Sequence, residues 1–111
     1  MLNKIIVKRA KNCDAEAVSR LYFETIRHVN ARGYSPRQIR AWAPRIYPAS
    51  FWRRRWRSYQ VWIAFLENRI VGFAEIEVSG HVDCFYVHHL HQGQGVGRAL
   101  IKRIVREARR G

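Results

Sequence analysis

The stretch Phe85-Tyr86-Val87-His88-His89-Leu90-His91-Gln92-Gly93-Gln94-Gly95-Val96-Gly97-Arg98-Ala99-Leu100 decides how the rest of the chain is read. A strand-like run passes into a loop with glycine at 93, 95 and 97, and the loop opens directly into a helical pattern. Glycine lets the backbone approach a ligand closely, and the first N–H groups of a helix have no partner inside it. Together with the helix dipole they suit an anion such as a pyrophosphate. Two familiar phosphate patterns do not fit. A P-loop requires Gly-Lys-Ser/Thr at the helix start, whereas Gly97 is followed by Arg98 and Ala99. A dinucleotide fingerprint requires a third glycine three residues after the second, where Leu100 stands, and a parallel βαβ context that hairpins replace here. What remains is Gln92-x-x-Gly95-x-Gly97.

Downstream, residues 95–110 place Leu100, Ile101, Ile104, Val105 and Ala108 on one stripe and Arg98, Lys102, Arg103, Arg106, Arg109 and Arg110 elsewhere. This predicts an amphipathic helix lying on a sheet. Upstream, residues 59–66 and 69–78 are rich in β-branched and aromatic side chains and are separated only by Glu67-Asn68, which predicts a tight hairpin. Ser79-Gly80 turns the chain again into 81–87, giving a three-strand antiparallel meander. A short helix after Ser50 sets Trp52 and Trp56 inward, with Arg53, Arg54, Arg55 and Arg57 left wet. Earlier still, Ser35-Pro36-Arg37-Gln38 reads as a capping box opening a helix that Pro44 stops. From about Asp14, the spacing Val18, Leu21, Tyr22, Thr25, Ile26, Val29 is one face of a four-turn helix. Residues 3–9, around Ile5, Ile6 and Val7, read as a first strand. The order β, α, α, (α), β, β, β, α predicts an α/β (α+β-like) unit, a mixed, mostly antiparallel sheet flanked by helices.

The whole, residues 1–111, reads as one domain. Its 21 Lys+Arg against 8 Asp+Glu give a formal charge of +13, and all but Lys4, Lys8, Lys11 and Lys102 of the cations are arginine. The longest apolar runs fall far short of the roughly 20 residues of a membrane span. No signal-peptide segment stands at 1–10, which predicts a cytoplasmic protein. Cys13 and Cys84 carry no disulfide or zinc spacing and read as reduced thiols. His81, Asp83, Cys84, His88, His89 and His91 lack the spaced pairs of a zinc site, and alternation along a strand sets His81 and Cys84 on opposite faces, so no metal is expected.

The string Gln92-x-x-Gly95-x-Gly97 resembles the Gln/Arg-x-x-Gly-x-Gly/Ala signature of the GNAT superfamily of acyl-CoA N-acyltransferases. As in that family, it follows the fourth strand, and the elements occur in family order over the whole chain. Tyr34-Ser35-Pro36, Ala41-Trp42-Ala43-Pro44, Ile70-Val71-Gly72-Phe73 and Phe85-Tyr86-Val87-His88 look like a small bacterial subgroup. The resemblance implies transfer of an acetyl group from acetyl-CoA to a primary amine. It implies that the backbone of Phe85, Tyr86 and Val87 bonds the pantetheine arm like an added strand. The N–H groups of Gln92, Gly93, Gln94, Gly95, Val96 and Gly97 would then hold the pyrophosphate, with Arg98 near its charge.

Such a transfer needs a neutral amine, hence a base or water chain, and a donor for the developing oxyanion. His81 falls near the strand-four position where some histone-type members place a Glu base. Asp83 is two residues on, and Glu75 on the third strand is another candidate, with Glu77 sharing its face. Tyr22, Tyr34 and Trp42 lie where the resembled family forms its acceptor pocket. The family normally continues past the long helix with a fifth strand, a further helix and one or two closing strands. These supply the other wall of the cleft and, in many members, a Tyr that protonates the leaving thiolate; no residue of this chain takes that role. A chain ending at Gly111 would leave the fourth strand with an unpaired edge, which predicts a homodimer along it. An inactive fragment and a longer natural product are the alternatives. Outside catalysis, Phe51-Trp52-Arg53-Arg54-Arg55-Trp56-Arg57 interleaves aromatics and arginines, and a basic nucleic-acid-binding module is the competing reading.

Overall fold

The protein is seen in a computed structural model that describes residues 4–28, 35, 37–38, 46–77, 79–88, 91 and 93–110, the side chain of Arg110 excepted. Strand β1 (Ile5–Arg9) leads through a single 3-10 turn (Asn12–Asp14) into helix α1 (Ala15–His28). Helix α2 (Ala49–Arg55) precedes β2 (Tyr59–Leu66), β3 (Arg69–Glu77) and β4 (Val82–Val87), and α3 (Val96–Arg110) follows. The strands form one antiparallel sheet in the order β1-β2-β3-β4. The predicted α/β architecture is therefore the observed one. Among the described residues no helix is long and apolar enough to cross a bilayer.

Local chemistry explains each boundary. Glu67 and Asn68 both take positive φ, 51° and 65°, the conformation of the two-residue turn whose twist matches a hairpin. Gly80, at φ 95°, closes the next turn, where its N–H donates to the Glu77 carbonyl at 2.8 Å. The predicted reciprocal cap at Ser35 and Gln38 is present: each backbone N–H donates to the other's side-chain oxygen, at 2.9 and 3.2 Å. The rest of that helix lies outside the described residues.

Two layers of side chains cover the sheet. On one face α1 and α2 bring Ala15, Val18, Leu21 and Trp52 onto Ile63 and Phe73. On the other, Val96 and Leu100 of α3 settle on Trp62, Ala64, Val71 and Ile76. Because both faces are covered, residues 61–64 and 71–76 are buried without interruption, which is why these strands read as near-continuous apolar runs. The stripe predicted for α3 is divided. Its line Val96, Leu100, Ile104 meets the sheet, whereas Ile101 and Val105 remain 54% and 42% exposed and Ala108 is exposed as well. A straight helix on a flat sheet buries one narrow ridge, and five apolar positions span more of the circumference than that ridge.

Gly72 sets how closely α3 approaches. A Cβ there would stand 2.9 Å from Val96 Cγ1, 3.0 Å from the Tyr86 carbonyl oxygen and 3.3 Å from Leu100 Cδ1. Only a glycine on β3 lets the first turn of α3 sit this low on the sheet, which fixes the height of the loop before it.

Candidate functional site

That loop carries two backbone positions in the left-handed region, Gly93 at φ 79° and Gly95 at φ 86°, where side chains are strained. Gly97 lies in the first turn of α3. A Cβ on it would meet the Phe85 ring at 3.6 Å and Val87 Cγ2 at 3.8 Å, ordinary contact distances, so its glycine leaves space rather than relieving strain. Phe85, Val87, Gly93, Gly95, Val96, Gly97 and Arg98 together line a cleft of about 670 Å³. The cleft thus joins the start of α3, with its unpartnered N–H groups, to the end of β4. Of the predicted loop residues, Gln94 is exposed and its Oε1 lies 3.2 Å from His91 Nδ1. Gln92 lies outside the described residues, as do Tyr34 and Trp42.

On the opposite face of β4 the side chains do not alternate as expected. Glu75 pairs with Cys84 and Ile76 with Val82, so Asp83 is an extra residue in a bulge. The consequence is that Asp83 and Cys84, neighbours in sequence, both reach the guanidinium of Arg55. Its Nε donates to Glu75 Oε1 at 2.6 Å, and one terminal nitrogen donates to Asp83 Oδ2 and to Cys84 Sγ, the latter at 3.6 Å. Trp56 Nε1 donates to the other Glu75 oxygen at 2.8 Å. Glu75 is fully buried and has both oxygens engaged, while Asp83 is one-third exposed. His81 is exposed just ahead of β4, where its carbonyl accepts from Glu77 N–H at 2.9 Å.

These contacts change the chemistry of the groups involved. Burial and then the neighbouring Glu75 carboxylate push the Cys84 thiol up to about 12. Partial burial opposes the Arg55 charge, yet bonding to Glu75 outweighs it and holds the group protonated above its ordinary range. Glu75, Asp83 and Cys84 present ligating atoms within 4.8 Å of one another, and Arg55 is bonded to all three, so an arginine organises the cluster. Toward α1, Tyr86 packs edge-on against Tyr22, centroids 5.2 Å apart, and Tyr22 meets Trp52 at 5.1 Å. Burial raises both phenols.

Sequence reading missed Arg55. The pattern of the run predicts a solvated side chain, but Arg55 alone of that run turns inward to a buried carboxylate, while Arg53, Arg54 and Arg57 are exposed. Trp52 is buried and Trp56 is bonded to Glu75, so both tryptophans of the run belong to the core rather than to a stacking surface. The pairing of His88 with Glu24 was missed too: His88 Nε2 lies 2.9 Å from Glu24 Oε2. No spacing rule links residues 64 positions apart, and no sequence signal marked either contact.

Known proteins decide what this arrangement belongs to. A family profile described as an acetyltransferase (GNAT) domain matches residues 30–111. The chain belongs to the GNAT acetyltransferase family. A curated relative, the uncharacterized N-acetyltransferase YafP of Escherichia coli K12, is 26% identical over 105 residues, covering 95% of this chain and 68% of that protein. Among solved GNAT structures, a GCN5-related N-acetyltransferase from Rhodopseudomonas palustris superposes with a TM-score of 0.85 at 27% identity, over 100% of this chain and 71% of that one. PaiA N-acetyltransferase from Thermoplasma acidophilum, solved in complex with coenzyme A, shares the fold with a TM-score of 0.76 at 17% identity, over 95% and 74%. The β4–loop–α3 passage lies within the residues that match the GNAT domain.

Proposed function

We propose that this acetyltransferase binds acetyl-CoA along β4 and the 93–97 loop and transfers the acetyl group to a primary amine. The observation that carries this is the cleft: open N–H groups at the start of α3, two glycines at positive φ, and Gly97 leaving room beside Phe85 and Val87. The pyrophosphate lies on the N–H groups from Gly93 to Gly97, with Arg98 beside it, and the pantetheine runs along Phe85, Tyr86 and Val87. The complexes of PaiA with coenzyme A and of YncA from Salmonella typhimurium with acetyl-CoA support this for the shared fold.

Transfer is direct. A Cys84 thiol held near 12 carries almost no thiolate at neutral pH and is a poor acyl acceptor. Of the three candidate bases, Glu75 and Asp83 are engaged by Arg55, whereas His81 makes no side-chain hydrogen bond among the described residues. His81 therefore takes the proton from the incoming ammonium, directly or through water, and Glu75 and Asp83 shape the bulge. A backbone N–H of β4 is the donor for the oxyanion. Tyr22 and Tyr86, in edge-on contact, form the near wall of the acceptor pocket. Two reduced thiols agree with a cytoplasmic site of action.

The β4 edge also supports a homodimer. Among the described strands β4 is terminal, and Val82 and Phe85 on it are 41% and 36% exposed. Calorimetric titration with acetyl-CoA tests the cofactor reading: the parent binds, and Gly95→Asp combined with Gly97→Asp abolishes binding. Equal affinity in both proteins would remove the phosphate-loop assignment. Turnover of an amine panel with His81→Gln tests the base, with a loss in kcat of about 10²-fold expected.

A further inference from the structure

The histidines around the glycine loop have no part in the chemistry above, yet they tie it to α1. Among the described residues His88 is the last that the sheet holds: its N–H donates to the Val71 carbonyl at 2.7 Å. Its ring is mostly buried, with the side chain 15% exposed, and Nε2 meets the Glu24 carboxylate of α1 at 2.9 Å. The His91 N–H donates back to the His88 carbonyl at 2.9 Å. The His91 ring lies 5.6 Å from that of His88 and bonds Gln94, which stands between the two positive-φ glycines. An unbroken path therefore runs from Glu24 through His88 and His91 to Gln94.

We infer that the Glu24–His88 pair is the positioning element of the coenzyme loop, holding it in the phosphate-binding conformation before the ligand arrives. A loop with glycine at 93, 95 and 97 has many unbound conformations, and ordering it on binding reduces affinity unless the protein has already ordered it. Among the described residues, backbone bonding to the sheet is last seen at His88, and a side-chain anchor to a packed helix at that residue adds a second hold on the chain that leads into the loop. Neither Glu24 nor His88 lines the cleft, so both act through the backbone of others. The inference rests on the acetyl-CoA reading for its kinetic consequence but not for its structural one.

Three proteins test it: the parent, Glu24→Ala and Glu24→Gln, the last keeping an oxygen that can accept from His88 Nε2–H. In the ligand-free state, amide order parameters of Gly93 and Gly95 are expected to fall in Glu24→Ala and to recover in Glu24→Gln. With acetyl-CoA, KM rises about fivefold in Glu24→Ala while kcat stays within about twofold, the pattern of lost preorganisation rather than lost chemistry. A structural role alone would lower the melting temperature and leave the loop order and the KM of the remaining folded protein unchanged, which overturns the inference. Loop order that falls in Glu24→Ala, in a parent that binds no acetyl-CoA, upholds the positioning role and removes the cofactor reading. Loop order and KM that stay unchanged in Glu24→Ala, beside a parent that binds acetyl-CoA, overturn the positioning role and leave the cofactor reading standing.

Discussion

Replacing Arg55 by alanine removes three hydrogen bonds at once, along with a contact to the Tyr59 ring, and isolates the charge they serve. Glu75 is fully buried, and without Arg55 its carboxylate keeps neutral donors, the Trp56 N–H and the Cys84 thiol, but no counter-charge among the described residues. Removing one partner of a buried pair typically costs about 3–5 kcal/mol, because the remaining charge has lost its water and its counter-ion together. The Arg55 side chain is 26% exposed, so water already reaches its outer end and the lower limit applies, about 3 kcal/mol. For a chain of this size that is a drop of roughly 10–15 °C in melting temperature. Asp83→Asn, at a one-third exposed site, falls below about 1 kcal/mol. The double replacement Arg55→Leu with Glu75→Leu recovers to within about 1 kcal/mol of the parent, since neither charge is then stranded. Urea unfolding at pH 7 measures all four proteins, with m-values checked for constancy. A loss below about 1 kcal/mol in Arg55→Ala would refute the reasoning, because the pair would then behave as an ordinary screened surface ion pair.

Further predictions concern the loop, the thiols and the open edge. Gly72→Ala drives a methyl to 2.9 Å from Val96 and 3.0 Å from the Tyr86 carbonyl, so α3 must lift; a destabilisation of about 1–3 kcal/mol and weaker acetyl-CoA binding are expected by unfolding and calorimetry. Iodoacetamide at pH 8 labels exposed Cys13 first and Cys84 only on unfolding, as mass spectrometry of timed samples would show. Because the folded state raises the Cys84 pKa from 9.0 to about 12, the unfolded chain releases its proton first as pH climbs. Stability from this group is intact below pH 9 and is lost progressively above it, and Cys84→Ser flattens that alkaline slope in denaturation measured from pH 8 to 11. A dimer paired along β4 and a pantetheine arm on β4 need the same edge, so acetyl-CoA shifts any dimer seen by light scattering toward monomer.

Much of the molecule could be read before it was seen, and the reason is that its signals were local. The Glu67-Asn68 turn, the Ser35/Gln38 cap and the period of α1 each depend on a few neighbouring residues, and each holds wherever the structure describes it. The glycine spacing at 93, 95 and 97 is likewise local chemistry, the permissive backbone that an anion site demands. Together with the element order it identified the family.

What tertiary structure decided lies at contacts between distant residues. Arg53, Arg54, Arg55 and Arg57 are indistinguishable in composition, and only the packing of α2 on β3 chooses Arg55 to meet Glu75, twenty residues away. The bulge at Asp83 breaks the strict alternation that a strand sequence suggests, because one extra residue on β4 has no visible mark until the register with β3 is set. Some of the +13 charge also acquires a purpose only in three dimensions: Arg9 and Arg103 lie over the buried Trp62 ring at 5.4 and 4.8 Å. By itself, then, the sequence determined the elements, their order and the glycine loop, since these depend on local propensity and periodicity. Which charges are buried, which side chains share a face of β4 and what holds the loop still follow from registers and packing distances, which exist only once the chain has folded.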